Sequence, residues 1–141
     1  MPSADKPATG REIVVVDASA VLSLLIDPGT VGDRIAAKLQ DATLLAPALL
    51  PFEAANVLRR RRNAGLLSGA EAGLAHDELL GLPVHLWPWE TVAVRAWELG
   101  GNLSSHDAAY VALAEQCDAA LVTRDRRLPA APGLRCRVEV F

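Results

Sequence analysis

Residues 13–16, Ile-Val-Val-Val, form an unbroken run of β-branched apolar residues, and Asp17 ends it abruptly. A run without polar alternation suits a strand buried on both faces, as in a parallel sheet covered by helices. The character changes at once after Asp17, where ASAVLSLLI consists largely of helix formers. The same switch recurs down the chain. TLLA (43–46, closed by Pro47), PVHLW (83–87) and AALVT (119–123) are further strand candidates, and 135–141 is a fifth, edge-like one. Between them, 30–39 carries Val31, Ile35 and Leu39 at four-residue spacing, the mark of a helix face. Pro51 opens another helix that runs to about Ala64 and stops at Gly65; Ser68, with Glu71 three residues on, caps the next. Residues 90–99 read as a helix, and Ser104 opens one that carries AAYVALA and breaks near Cys117-Asp118. Strands separated by helices of this length need crossover connections. The expected fold class is α/β: a three-layer arrangement with a central, mainly parallel sheet of about five strands flanked by helices.

The chain has 141 residues, the size of one domain, with 51% hydrophobic and 22% charged residues, which excludes global disorder. The expected organisation is a flexible tail over 1–11 and a single domain over 12–141. Net charge is −3, so the chain is not a bulk basic binder of nucleic acid, and any such contact must come from local clusters. The basic side is almost all arginine, since the only lysines are Lys6 and Lys38. Cys117 and Cys136 form neither a CxxC pair nor a metal quartet; Cys117 follows an apolar run and is expected to be buried. No apolar stretch reaches membrane-spanning length, and the polar N-terminus lacks the apolar core of a signal peptide. A cytoplasmic setting is the expectation.

Four acids stand where the carboxyl ends of the strands should lie: Asp17 after the first, Glu53 in the first turn of the helix after the second, Asp107 at the start of the AAYVALA helix, and Asp125 beyond the fourth. Singly, each has a structural explanation. Asp17 suits a helix cap, Glu53 the positive end of a helix, Ser104-x-x-Asp107 a variant capping box, and Asp125 a turn. Gathered at one sheet edge, which depends on strand order, they would repel one another unless a cation were present, and hard oxygen donors select Mg²⁺ or Mn²⁺. Such a site activates water and stabilises a phosphodiester in displacement. Asn56 and Arg60 share a helix face with Glu53, and Arg60 stands about 10 Å along the axis, near the reach of a neighbouring phosphate. The run Arg59–Arg62 fans around the helix, so part of it is solvated surface; Arg124, Arg126 and Arg127 flank Asp125.

VVVDASAVLSLL, PFEAANVLRR, SSHDAAYVALAE and LVTRDRRL, in that order and spacing, resemble the PIN-domain ribonucleases, and most closely the VapC-type toxins of bacterial toxin–antitoxin pairs. The resemblance runs from about Glu12 to Val140. It implies a Mg²⁺- or Mn²⁺-dependent endoribonuclease whose acidic set is Asp17, Glu53, Asp107 and Asp125. Asp17 and Asp107 are expected as direct ligands, with Glu53 and Asp125 holding the ion's water or a second ion. Ser19 and Thr123 match supporting hydroxyl positions; Asn56 supports, and Arg60 and Arg124 are candidates for RNA contact. The resemblance further implies a homodimer and a VapB-type antitoxin whose C-terminal segment covers the site, with DNA bound only through that partner. His106 departs from the family pattern, where an aromatic or other residue often precedes the Asp. His76 and His85 read as structural or exposed, and Trp87, Trp89 and Trp97 as core or dimer packing before base stacking.

Two rivals fail on residue identity. A haloacid-dehalogenase-type phosphatase wants a second Asp at position 19, which is Ser19, and a response-regulator receiver wants a late lysine, yet none follows Lys38. A catalytically silent PIN-like binding module stays as the alternative, although all four acids are present.

Overall fold

The computed structural model describes residues 10–141. The expected tail over 1–11 therefore lies almost wholly outside the described residues. Strands β1 (Ile13–Val16), β2 (Thr43–Pro47), β3 (Val84–Trp87), β4 (Ala120–Thr123) and β5 (Val138–Val140) form one sheet in the order β3-β2-β1-β4-β5, with every pairing parallel. Helices α1 (Ala18–Ile26), α2 (Thr30–Leu39), α3 (Leu50–Asn63) and α4 (Gly69–Gly81) pack with one another, while α5 (Ala93–Glu98) packs on α6 (Ser105–Gln116), which lies against β1, β2 and β4. The three-layer α/β expectation holds.

β1 is the centre of the sheet, and Val14, Val15 and Val16 are wholly buried. The chain winds outward from it to β2 and β3 on one side, then crosses back to β4 and β5 on the other. That reversal beside β1 creates a crevice at the carboxyl ends of β1 and β4, the position where open α/β sheets hold their ligands. The Asp17 N–H donates to Val122 O at 3.2 Å, extending the β1–β4 ladder one residue and pinning Asp17 at the mouth of the crevice.

α6 is buried all round from Ala108 to Ala114, which explains why AAYVALA shows no amphipathic stripe. Its alanines let the helix lie close to the sheet. α3 ends in a Schellman motif: the Gly65 N–H reaches Arg62 O (3.0 Å) and the Leu66 N–H reaches Arg61 O (2.8 Å), with Gly65 at φ 77. Ser68 and Glu71 form the expected reciprocal capping box on α4. Gly32 is needed for contact, since a Cβ there would meet Asp27 O at 2.6 Å where α2 turns back on α1.

Three expectations need correction. The helix over 90–99 is broken into a 3-10 turn (Trp89–Thr91), α5 and a second 3-10 turn (Leu99–Gly101). Thr91 Oγ1 bonds back to Pro88 O at 2.7 Å, which favours the turn, and buried Val92 then redirects the chain. β5 starts only at Val138 because Glu115 captures the Arg135 N–H at 2.7 Å and draws the preceding segment out of the sheet. Cys117 is half-buried rather than buried; it and Cys136 are free thiols, and burial pushes both up, which keeps them inert. Among the described residues no helix is long and apolar enough to cross a membrane.

Glu115 ties the α5–α6 layer to the β5 segment. It accepts from Arg95 Nε at 2.6 Å and from the Arg135 N–H, while Arg95 also reaches Gly133 O at 2.8 Å. Burial alone would raise the Glu115 carboxyl, but Arg95 and the Arg135 N–H outweigh it and hold it below the ordinary value. Because its folded-state pKa is depressed, its stabilisation is complete above the unfolded value of about 4.3 and is lost as pH falls through the folded one. Glu115→Gln should lower stability at pH 7 by about 1.5–3 kcal/mol and flatten the acid limb of a thermal-unfolding series below about pH 4.3.

Candidate active site

Asp17 is the N-cap of α1 and much more than a cap. Its Oδ1 accepts from the Ala20 N–H (3.0 Å) and from Ser19 Oγ (2.6 Å), and its Oδ2 accepts from Thr123 Oγ1 (2.5 Å). Both hydroxyls are themselves fixed by the loop after β4, since Ser19 Oγ accepts from the Arg124 N–H (2.9 Å) and Thr123 Oγ1 from the Asp125 N–H (3.0 Å). Each hydroxyl proton is thereby committed to Asp17, and two backbone dipoles are relayed onto one carboxylate. Burial nevertheless pushes Asp17 above the ordinary carboxylate range, opposed by these donors, and the charge of Asp107 adds to the rise.

Glu53 comes from the first turn of α3, half-buried behind α6. Its Oε1 accepts from Tyr110 Oη at 2.7 Å, and its Oε2 lies 3.4 Å from His106 Nδ1. Burial raises Glu53, Tyr110 and His106 lower it, and the charges of Asp107 and Asp17 raise it further. Tyr110 is the chain's one tyrosine, 3% exposed; burial and its bond to Glu53 push the phenol far up, so it is a permanent donor. In the sequence it is one letter of the AAYVALA run and carries no assigned role. Its i+3 spacing from Asp107 was the signal that places it on the same helix face.

Asp107 sits on the first turn of α6. Ser104 caps that helix by accepting the Asp107 N–H at 3.1 Å, and the reciprocal side-chain bond of a full capping box is not formed. The Asp107 carboxylate is exposed, and its charge acts on both Asp17 and Glu53. Three of the four expected acids are thus gathered at the crevice. Asp125 stands apart: Arg127 binds it through Nε (3.2 Å) and the backbone N–H (2.9 Å) and holds its carboxyl below the usual range.

The remaining candidates divide. Ser19 and Thr123 are at the site, whereas Asn56 and Arg60 are exposed on α3. Arg61, not Arg60, lines the cleft beside Ser19. Arg124, expected at RNA, has its guanidinium on Asp27 (2.9 Å), Ser23 (2.8 Å) and Phe141 O (3.3 Å). His76 and His85 are exposed, as expected. The tryptophans divide: Trp87 is half-buried and packs against the core, whereas Trp97 is 81% and Trp89 43% exposed.

Among the described residues no group of three or more His, Cys, Asp or Glu side chains is placed to hold a metal ion. Mg²⁺ is met by one or two protein carboxylates and keeps several waters, so it does not require three protein ligands. Oxygen-only donors, raised chiefly by burial and further by the charge of Asp107, fit such a hard cation.

An all-parallel sheet with carboxylates gathered at its switch point defines a class of α/β domain built to bring acids to one crevice. The PIN domain matches residues 14–134, and the chain belongs to that family. It is 38% identical over 128 residues to Ribonuclease VapC9 of Mycobacterium tuberculosis, covering 91% of this chain and 98% of that protein. PAE2754 from Pyrobaculum aerophilum superposes with a TM-score of 0.65 at 25% identity, covering 99% of this chain and 93% of that one. VapBC2 from Rickettsia felis, solved bound to a DNA fragment from their promoter, shares the fold with a TM-score of 0.67 at 12% identity, covering 92% and 98%.

Two substitutions separate structure from charge at this site. Thr123→Val keeps the shape but strips the donor from Asp17 and the acceptor from the Asp125 N–H at a wholly buried position; it should cost about 1–3 kcal/mol in denaturant unfolding. Asp107→Asn removes a charge that opposes two others, and should raise Tm by about 1–4 °C rather than lower it.

Proposed function

We propose that this chain is a divalent-metal-dependent endoribonuclease that hydrolyses RNA phosphodiester bonds as the toxin of a toxin–antitoxin pair. The observation that carries the reading is the gathering of Asp17, Glu53 and Asp107 at the switch point, in a chain 38% identical to a protein named a ribonuclease. Asp17 and Asp107 would hold a Mg²⁺ or Mn²⁺ ion, with Glu53 and Asp125 at its water or at a second ion. When bound, that ion neutralises the phosphodiester and makes water a nucleophile at neutral pH.

The chain's own residues orient this chemistry. Ser19, Thr123 and the α1 N-terminus hold Asp17 in its ionised, acceptor-only form with both oxygens aimed. Tyr110 occupies Oε1 of Glu53, and Oε2, 3.4 Å from His106 Nδ1, is the oxygen that would take the proton of the attacking water. A carboxyl raised by burial is a stronger base than an ordinary glutamate, which suits it to that transfer. Asp125 joins only by leaving Arg127.

The partners follow from the same family. A VapB-type antitoxin that presents a cation to the three carboxylates would silence the site, and promoter DNA would be bound through that antitoxin, in keeping with VapBC2. A homodimer accords with the exposed Val94 (77%) and Trp97 (81%) on α5.

Purified protein should cut a mixed structured-RNA pool in Mn²⁺ or Mg²⁺ and not in EDTA, and Asp107→Asn should abolish cutting while remaining folded. Equal cutting by that variant would mark a contaminant and remove the assignment. Tyr110→Phe, which keeps the ring and loses the donor to Glu53, should reduce cleavage about 10- to 100-fold in the same assay, with a Tm close to wild type.

A further inference from the structure

We propose that the cleft between Trp89 and His106 is a subsite for an unpaired nucleobase of the strand being cut, an inference that rests on the ribonuclease reading. The cleft holds about 330 Å³ and is walled by Pro47 and Leu49 at the end of β2, by Trp89 and Val92 after β3, and by His106 and Ala109 of α6. None of its lining residues is Asp, Glu, Lys or Arg. It adjoins the acids: His106, one of its walls, lies 3.4 Å from Glu53 Oε2, and Asp107 follows His106 in the first turn of α6. Trp89 is 43% exposed, and the His106 side chain is 70% exposed.

The walls are held in place. The Ala48 N–H donates to Trp87 O at 2.8 Å, joining the loop after β2 to the end of β3, and the Val92 N–H closes the turn on Trp89 O at 2.9 Å. Val92, 2% exposed, anchors that turn to the core. An aromatic side chain on a fixed turn is a stacking platform whose ordering cost has already been met on folding.

The occupant follows from what a phosphodiester carries. A scissile phosphate at Asp17, Glu53 and Asp107 places the base of a flanking nucleotide within one sugar's reach. Of that nucleotide's parts only the base is uncharged, flat and apolar-faced. A second cleft, beside Ser19, has opposite chemistry: it holds about 350 Å³ and is bordered by Ser23, Asp27, Arg61 and Arg124, and because Arg124 is paired with Asp27, Arg61 is its cation for phosphate. The apolar cleft therefore takes a base and the arginine-rimmed cleft the backbone, which sets a register for the strand. A base still paired in a duplex cannot enter, so the cleft accepts unpaired positions only.

The test measures binding of a fluorescent single-stranded RNA dodecamer and its duplex form in EDTA, for wild type, Trp89→Ala, Trp89→Phe and Arg61→Ala, with molar mass by light scattering. The base composition flanking cut sites in a randomised RNA is read in Mn²⁺. The single strand should bind more tightly than the duplex. Trp89→Ala should weaken single-strand binding about 5- to 100-fold, with most of the loss restored in Trp89→Phe, and should flatten the base preference beside the cut. Its salt dependence should match wild type, whereas Arg61→Ala should lower the salt slope by about 0.7. Unchanged binding and base profile in Trp89→Ala, or preference for duplex, overturns the subsite. A Trp89→Ala loss that tracks a change in molar mass also overturns it and gives the cleft to a second copy of the chain. Wild-type protein that neither binds nor cuts RNA overturns the ribonuclease reading and the subsite together.

Discussion

The carboxylate of Asp17 is the point on which three separate pieces of chain converge. α1 is started by it, β4 ends on it through Thr123, and the loop beyond β4 is fixed to it through the hydroxyls of Ser19 and Thr123. A single ionised group with several donors can organise this much backbone because charge-assisted hydrogen bonds are roughly twice as strong as neutral ones. The arrangement also explains why the residue at position 19 is a hydroxyl. It must donate to Asp17 and accept from the Arg124 N–H at once, which a carboxylate at neutral pH does not do.

That convergence opposes the rest of the site. Asp17 and Glu53 are both raised, chiefly by burial, with the charge of Asp107 adding to each. The fold carries this cost in a region made rigid elsewhere: wholly buried β1, a helix α6 buried on every side, and a Tyr110 phenol that holds Glu53 against the repulsion. Ser104 contributes by what it leaves undone. Capping α6 through its hydroxyl alone, it satisfies the helix end without drawing the Asp107 carboxylate into a reciprocal bond. Natural proteins violate local optimality of this kind at functional sites and compensate around them.

Much of the fold was legible because the strands are short, apolar and β-branched, and the helices between them carry explicit punctuation in Pro51, Gly65, Ser68 and Ser104. Where reading failed, a tertiary contact overrode a local pattern. Residues 90–99 have helical composition, but the Thr91 hydroxyl bond and the burial of Val92 divide them. The segment from Arg135 has strand character, but Glu115, twenty residues away, removes its first hydrogen-bonding group from the sheet. At the site, the approach of Asp17, Glu53 and Asp107 follows once β1 is placed between β2 and β4, which no local signal specifies. Tyr110 was hidden inside an apolar run, and the pairing of Asp125 with Arg127 two residues on was lost among alternating charges.

The arginines show how a chain of net charge −3 can still meet a polyanion. Three around the β4 loop and α5 are used internally: Arg124 on Asp27, Arg127 on Asp125, and Arg95 on Glu115. Among the described residues no ion pair involves Arg59, Arg60, Arg61 or Arg62, all of them exposed on the last turns of α3. The same helix brings Glu53 to the crevice with its first turn. Opposite charges are thus separated along one rod, with the acid at the chemistry and the bases beyond it, and the helix dipole favours this polarity at both ends. Attraction to phosphate is local, short-ranged and weakened by salt, so it can orient a strand over the acids without lending the whole surface affinity for nucleic acid.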